Sequence, residues 1–490
     1  MSTHLIPWLV MLPLVWALAG LATPRRWAQA LAFLFILLQG LVLLAISLEG
    51  WGQQVHLGGW APPLGIALRM EGVTHLLLWL TWVVMSFSAL HASHYLIDYP
   101  RAQVYFWPLF AFCWSGLNVV WLSGDLFNLY VGLELLGLSS VGLIALTGQK
   151  EALGASLRYL YAALLGSLAY LLGVGLLYGA YGTLDLHQLS QQLTLNPLTW
   201  MALASMTLGL LLKTAIFPLH TWLPPAHARA LPPVSALLSG LVAKASFVIL
   251  VRLWLELVWP QASEEALLYW LGQGLGALGA GAILWGGWMA WRQDQLKPLV
   301  AYSTVAQLGY LMLVFPLIFG ATSQLAVSLA WEGLWMQLLA HGLAKAAMFL
   351  AAGNLVLAMG QNELKGLHGV GRHLPFSLLG FGLAGVSLMG LPPSGGFTAK
   401  WLMLHSALIS GQGWWIAILL LGSLLSALYI FKVFHFCFTE ESDEGDHFHH
   451  PSIMLDLSAL LLALGALALG LASYWPITWM QASCLGGFAC

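Results

Sequence analysis

KTAIFPLHTWLPPAHARALPPVSALLSGLVAK, residues 213–244, decides how the rest of the chain is read. It opens on Lys213 and closes on Lys244. Between them stand Pro218, His220, Pro224, Pro225, His227, Pro232 and Pro233. Apolar sequence continues on both sides. Proline inside a membrane span removes a backbone hydrogen bond and breaks the helix. Such breaks are tolerated at membrane depth only against protein or a water-filled cavity. A broken helix beside buried lysines is the pattern expected of an ion pathway.

Composition places this segment in a membrane. Of 490 residues, 60% are hydrophobic and 7% charged, against roughly 25% charged in a soluble domain. Mean hydropathy is +0.83. Apolar stretches long enough to cross a bilayer core of about 30 Å recur from end to end. A net charge of −2 gives no case for nucleic acid. Cys113, Cys437, Cys484 and Cys490 form no metal or haem spacing, although Cys484 and Cys490 are close enough in sequence to pair. The start, MSTHLIPWLV, lacks a basic n-region and reads as a first membrane helix and not as a removed signal.

Polar and Gly/Pro punctuation divides the chain into fourteen helical spans: 5–22, 28–49, 72–92, 105–122, 125–147, 157–181, 197–222, 234–258, 267–291, 298–319, 323–359, 376–410, 414–439 and 453–480. The fold class is all-α integral membrane. Spans 323–359 and 376–410 exceed a straight crossing, so tilt, an interruption or an unwound middle is expected in each. Basic residues favour cytoplasmic loops. With the N-terminus outside, cytoplasmic loops and flanks hold ten: Arg25, Arg26, Arg101, Lys150, Arg158, Arg229, Arg292, Lys297, Lys365 and Arg372. External ones hold Arg69 and Arg252. Both termini are therefore expected outside a bacterial inner membrane, with the acidic, His-rich EESDEGDHFHH at 440–450 inside; a solvated loop is its plainer reading over metal binding.

That count leaves Lys213, Lys244, Lys345, Lys400 and Lys432 inside spans. Intramembrane charge is expensive, and its bearers are functional candidates. Lys432 is close enough to its helix end to snorkel. Lys244 is ten residues into its span, about 15 Å deep. Glu134, in LYVGLELLGL, is comparably deep and is the candidate partner of Lys213. Asp125 reads as a helix cap, and Glu71 as a cap or interfacial group. A buried lysine keeps its proton only where a carboxylate or water stabilises it, so a row of lysines bridged by histidine and water can pass protons. In WEGLWMQLLAHGLAKAAMFLAAGN, Glu332 opens the run, and His341 and Lys345 share one helix face at i, i+4. Later, SLMGLPPSGGFTAKW (387–401) repeats the theme, with a Pro pair and a Gly pair ahead of Lys400. Two interrupted helices suggest two structural repeats.

Five stretches carry a family resemblance: GDLFNLYVGLELLGLSS, the 213–244 segment, LKPLVAYSTVAQLGYLML, HGLAKAAMFLAAGN and LMGLPPSGGFTAKW. Over residues 70 to 440 the chain resembles the proton-translocating antiporter-like subunits of respiratory complex I, membrane-bound hydrogenases and Mrp-type cation/proton antiporters, nearest to the D-type branch of the Mrp antiporters. The resemblance implies two inverted five-helix repeats with helices 7 and 12 interrupted. It divides the chain into helices 1–3 (1–104), a first repeat (105–258), a second repeat (259–439), and a loop with helix 14 (440–490). It implies that Glu134 is the helix-5 acid, Lys213 its helix-7 partner and Lys244 the central lysine. His341 and Lys345 would form the connecting relay, and Lys400 the exit. His220, His227 and Glu332 join the candidate pathway. Gln337 stands where some relatives have a second histidine. The stop soon after helix 14 departs from complex I's largest such subunit, which carries a long lateral helix.

The implied function is proton translocation within a multisubunit monovalent cation (Na+)/proton antiporter, with other membrane subunits as partners. A proton-pumping subunit of a complex I-like or hydrogenase complex, or the ion-transport partner of an inorganic-carbon uptake system, are the alternatives. No nucleotide, flavin or iron–sulfur motif occurs, so no cofactor and no redox chemistry of its own are expected. Two further classes compete. An electron-transfer subunit would use His91, His94, His405 or His435 as ligands. A passive scaffold would merely pack its charges.

Overall fold

The computed structural model describes residues 2–50, 52–261, 265–439 and 451–481; Cys484, Cys490 and the 440–450 loop lie outside them. Fourteen apolar segments follow one another: α1 (Ile6–Ala22), α2 (Arg25–Leu48), α3 (Gly72–Tyr95), α4 (Pro100–Leu122), α5 (Leu126–Ile144), α6 (Lys150–Tyr181), α7 (Pro197–Thr214, then Leu223–Arg229), α8 (Pro232–Gln261), α9 (Glu265–Arg292), α10 (Leu296–Phe319), α11 (Gln324–Met359), α12 (Pro375–Met389, then Gly395–Ile409), α13 (Gly413–Phe438) and α14 (Ile453–Leu471). Eleven are single helices long and apolar enough to cross a membrane. The other three are the 17-residue α1 and the divided α7 and α12. A short helix, Tyr474–Gln481, follows α14.

Burial sorts these helices. α2, α13 and α14 show most of their surface to the outside, whereas α8 is enclosed along all but its C-terminal end. A helix apolar on every face belongs in such a centre. α11 is the second central element and packs against α3, α8, α10, α12 and α14.

α11 narrows one expectation, since neither an interruption nor an unwound middle occurs in it. Its 36 residues run without a break, about 54 Å of helix. It contains no proline, and its glycines serve close packing. A side chain at Gly342 would meet Gly240 O of α8, and one at Gly353 would meet Pro232. α7 and α12 are divided. α7 stops at Thr214, where Ala215 takes φ +59°, and the Trp222 indole donates to the freed Leu212 carbonyl at 2.9 Å. α12 stops at Gly390, φ +79°. Freed backbone groups at membrane depth need such partners.

Between α2 and α3 lies an antiparallel hairpin, β1 (Gln53–His56) with β2 (Ala67–Met70). Leu68 bridges on to Ser123, and Asp125 to Asp185. Asp125 caps α5 by accepting from Asn128 N at 2.8 Å. Glu71 stands at the N-cap of α3 and makes no capping bond with its side chain.

Two basic residues assigned to loops or helix ends are buried. Arg252 lies within α8, where it donates to Ser123 O at 2.5 Å and to Glu256 at 3.2 Å. Lys297, in the first turn of α10, donates to Ala230 O at 2.5 Å. Lys432 reaches the end of α9, donating to Trp291 O and Gln293 O at 2.9 and 2.7 Å with Asp294 at 3.5 Å. There it caps the last carbonyls of α9, away from the other lysines.

Candidate proton pathway

Lys213, Lys244 and Lys400 lie where helices are locally irregular, and Lys345 lies within the unbroken α11. Lys213 occupies the last turn of the first limb of α7. Its Nζ is 3.3 Å from Glu134 Oε1 on α5, and it also donates to Ala163 O and to Ser167 Oγ on α6. Ser167 in turn donates to Glu134. The serine thus holds acid and base together from a third helix. The Lys213 side chain is 7% exposed and that of Glu134 24%, so the pair is closed on the side of the base and open on the side of the acid.

Thr214 carries contact onward from α7 to α8, through a hydroxyl bond to Ser246 at 2.9 Å. On α8, Lys244 is fully buried. It follows a π-helical turn, Leu238–Val242, and donates to Ser239 O within that turn at 2.6 Å. Such turns expose carbonyls and recur at functional sites. The Ser239 hydroxyl bonds Thr304 of α10 at 2.9 Å.

α10 runs as a polar stripe beside α11. Lys345 donates to Val300 O at 3.0 Å and to Ser303 Oγ. His341, one turn back on α11, is buried with neither ring nitrogen bonded among the described residues. It lies within electrostatic reach of Lys244, Lys345 and Lys400. One further turn back, Gln337 Nε2 donates to Gln307 Oε1 at 2.9 Å. Gln307 Nε2 donates to Leu388 O at 3.2 Å and to Ser426 Oγ at 3.3 Å.

Lys400 lies beyond the break of α12. It donates to Leu388 O at 2.8 Å and Met389 O at 3.2 Å, the last carbonyls of the first limb, and to Ser423 Oγ of α13 at 3.0 Å. Its Nζ sits 4.3 Å from the Tyr310 ring centroid. Helix C-terminal carbonyls and an aromatic face both favour a cation.

The remaining candidates flank this line. His227 stacks on Phe349 of α11, centroids 4.8 Å apart, near Lys345, Lys297 and Lys244. His220 lies in the α7 break, stacked on Phe217 at 5.6 Å and edge-on to Tyr302 at 6.4 Å. Glu332 sits farther along α11 and accepts from Gln481 at 2.9 Å, away from the lysines. Two of the four competing ligand histidines have other bonds: His91 to Asn354 at 2.9 Å and His94 to Leu90 O at 3.2 Å.

Sequence reasoning passed over Ser167, Ser303, Gln307, Tyr310 and Lys297. The α10 residues carried a signal: Ser303, Gln307 and Tyr310 recur at helical spacing in an apolar span. The carbonyl partners of Lys244 and Lys400 carried none, because every residue has one.

Residues 123–426 match the family described as NADH:quinone oxidoreductase/Mrp antiporter, TM. The chain is 35% identical over 452 residues to the N-type subunit of the NADH-quinone oxidoreductase of Desulforudis audaxviator, covering 88% of this chain and 86% of that one. It is 28% identical over 476 residues to the D-type subunit of the Na(+)/H(+) antiporter of Bacillus subtilis, covering 96% and 93%. Its fold matches a chain of the Mrp complex from Dietzia sp. DQ12-45-1b with a TM-score of 0.88, at 24% identity over 99% and 98% of the two chains. The chain is therefore a multi-pass membrane protein that belongs to the family of membrane subunits shared by NADH:quinone oxidoreductases and Mrp antiporters.

Proposed function

We propose that this chain is the proton-translocating subunit of a multisubunit Na+/proton antiporter of the bacterial inner membrane, working beside other membrane subunits. One observation carries the reading. Among the described residues, Lys213 on α7, its side chain 7% exposed, and the buried Lys244, Lys345 and Lys400 on α8, α11 and α12 share one polar line, and a carboxylate pairs with the first of them alone. A line of protonatable amines with one ion pair at its head suits stepwise transfer. When Lys213 leaves Glu134, its charge acts on Lys244; the proton displaced there moves through His341 and Lys345, past the Gln337–Gln307 amides, to Lys400. Neutral carbonyls and hydroxyls around the later lysines let each gain or lose a proton without leaving a carboxylate unpaired.

Supporting the proposed repeats, 105–258 and 259–439, the breaks of α7 and α12 fall five helices apart. So do Glu134 of α5 and Gln307 of α10, and so do Lys213 and Lys400. The ten-to-two distribution of basic residues supports termini on the outer side.

A second reading, a redox-driven proton pump, is favoured by the 35% identity to an NADH-quinone oxidoreductase subunit. Purification of the tagged chain in gentle detergent, with mass spectrometry of its companions, separates the two. Small hydrophobic antiporter siblings are expected; iron–sulfur or quinone-reducing companions would transfer the same pathway to the redox engine. For the pathway itself, Glu134→Ala and Lys244→Ala are each expected to abolish proton flux in vesicles carrying the assembled complex. Wild-type flux in both would leave the lysine line as packing within a scaffold.

A further inference from the structure

A second polar site lies apart from the lysine line, where α2, α3 and α4 meet at one membrane face. A cavity of ≈ 710 Å³ is lined by Arg25, Arg26 and Gln29 at the start of α2, by Ser93 and His94 at the end of α3, and by Gln103 of α4. Phe33, Leu90 and Ile97 form its apolar wall. The floor is built: buried Gln103 accepts from Arg25 Nε at 2.7 Å, and Gln29 donates to Ser93 O at 2.8 Å. Fixed through Nε, Arg25 keeps its two terminal nitrogens free among the described residues. Arg26 has no partner among them.

Two arginines in the first turn of a helix stand where the helix dipole disfavours cations. The α2 N-cap, Pro24, offers no side-chain cap, and no acid occupies that turn. Charge and dipole together therefore call for an external anion. Asp98 follows the wall residue Ile97 but is not part of the lining. Phe33 lies about two turns below the arginines on α2, and Leu90 about one turn below His94 on α3, so the site matches a molecule that is anionic at the membrane surface and apolar below it.

We propose that this cavity binds the phosphate headgroup of an anionic phospholipid, with Arg25 and Arg26 holding the phosphate and an acyl chain lying along Leu90 and Phe33. Basic pockets between membrane helices recognise such headgroups. The lipid would fasten α2, an outward-facing helix, to α3 and α4.

The test uses the assembled complex, delipidated and returned to nanodiscs of phosphatidylglycerol in phosphatidylcholine, with bound lipid counted by native mass spectrometry. Wild type is expected to retain phosphatidylglycerol over phosphatidylcholine. The Arg25→Gln/Arg26→Gln double variant should bind it about thirtyfold more weakly, from two basic contacts at the surface. Arg101→Gln, on the same face outside the lining, should bind as wild type. Equal retention in the double variant, or equal loss in Arg101→Gln, would overturn the site. Competition by inorganic phosphate alone at matched ionic strength would show a free-anion site and overturn the lipid assignment. Proton flux is not the readout, so failure here leaves the lysine pathway untouched.

Discussion

Lys400 sits among neutral partners: two helix-end carbonyls, a serine hydroxyl and the face of Tyr310. The ring contact is the part that substitution can remove cleanly. Tyr310→Phe keeps the aromatic face, whereas Tyr310→Leu removes it. A desolvated cation over a ring gains about 2 kcal/mol, so Tyr310→Leu should lower proton flux by roughly tenfold or more, with Tyr310→Phe near wild type. The Tyr310 hydroxyl donates to Leu419 O at 3.5 Å and lies against the hydroxyls of Ser423 and Ser426, all neutral contacts, so its loss should cost less than loss of the ring. Equal losses in both variants would assign the effect to that hydroxyl and not to the ring. Lys213 poses the opposite case, since its partner is a full carboxylate. Glu134→Gln keeps the shape and the Ser167 contact but removes the charge that Lys213 must leave. Flux should fall by at least about a hundredfold, the scale of a lost proton-transfer group, with the complex still assembled on a sizing column.

At the level of elements, packing brings the polar groups into register. α6 and α7 cross through Gly166 and Gly209. A Cβ at Gly209 would stand 2.3 Å from Gly166 O, and one at Gly166 would stand 2.7 Å from Cγ of Lys213 and 2.8 Å from Gly209 O. The two glycines thus make different predictions. Gly209→Ala forces backbone against backbone, and should destabilise the subunit by about 1–3 kcal/mol, read as a lower melting temperature of the complex. Gly166→Ala meets Gly209 O and the Lys213 side chain together. It should lower the melting temperature on a similar scale and, unlike Gly209→Ala, also displace Lys213 from Glu134 and reduce flux. The same level explains what the sequence could show. Proline and glycine runs announced the breaks in α7 and α12, and an apolar surround made Lys244 conspicuous. Nothing in α11 distinguished a packing glycine from a breaking one, so its continuity was not legible. Arg252 and Lys297 read as surface residues because they stand near helix ends in sequence; the covering of those ends by Ser123 and Ala230 is tertiary. The serine and carbonyl partners of the lysines were hidden for the same reason.

Across the whole molecule, the proposed route requires every station in series. Glu134 on α5 and Lys400 on α12 share no contact, and the polar line joins them through α7, α8, α10 and α11. Distant, independent sites normally contribute additively. Groups that serve one sequential process do not, because a blocked step cannot be blocked twice. Partial variants reveal this best. If Tyr310→Leu and Gly166→Ala each reduce flux severalfold by slowing separate steps of one route, the slower step sets the rate of the double variant. Its flux should fall close to that of the worse single variant, well above the product of the two losses. Melting temperatures of the same set should add, since the substitutions touch different helix pairs. Flux losses that simply sum, with each single variant removing no more than its own half's share, would instead mean that α5–α7 and α10–α12 conduct in parallel, each half with its own way across, and the single line drawn through His341 would be wrong.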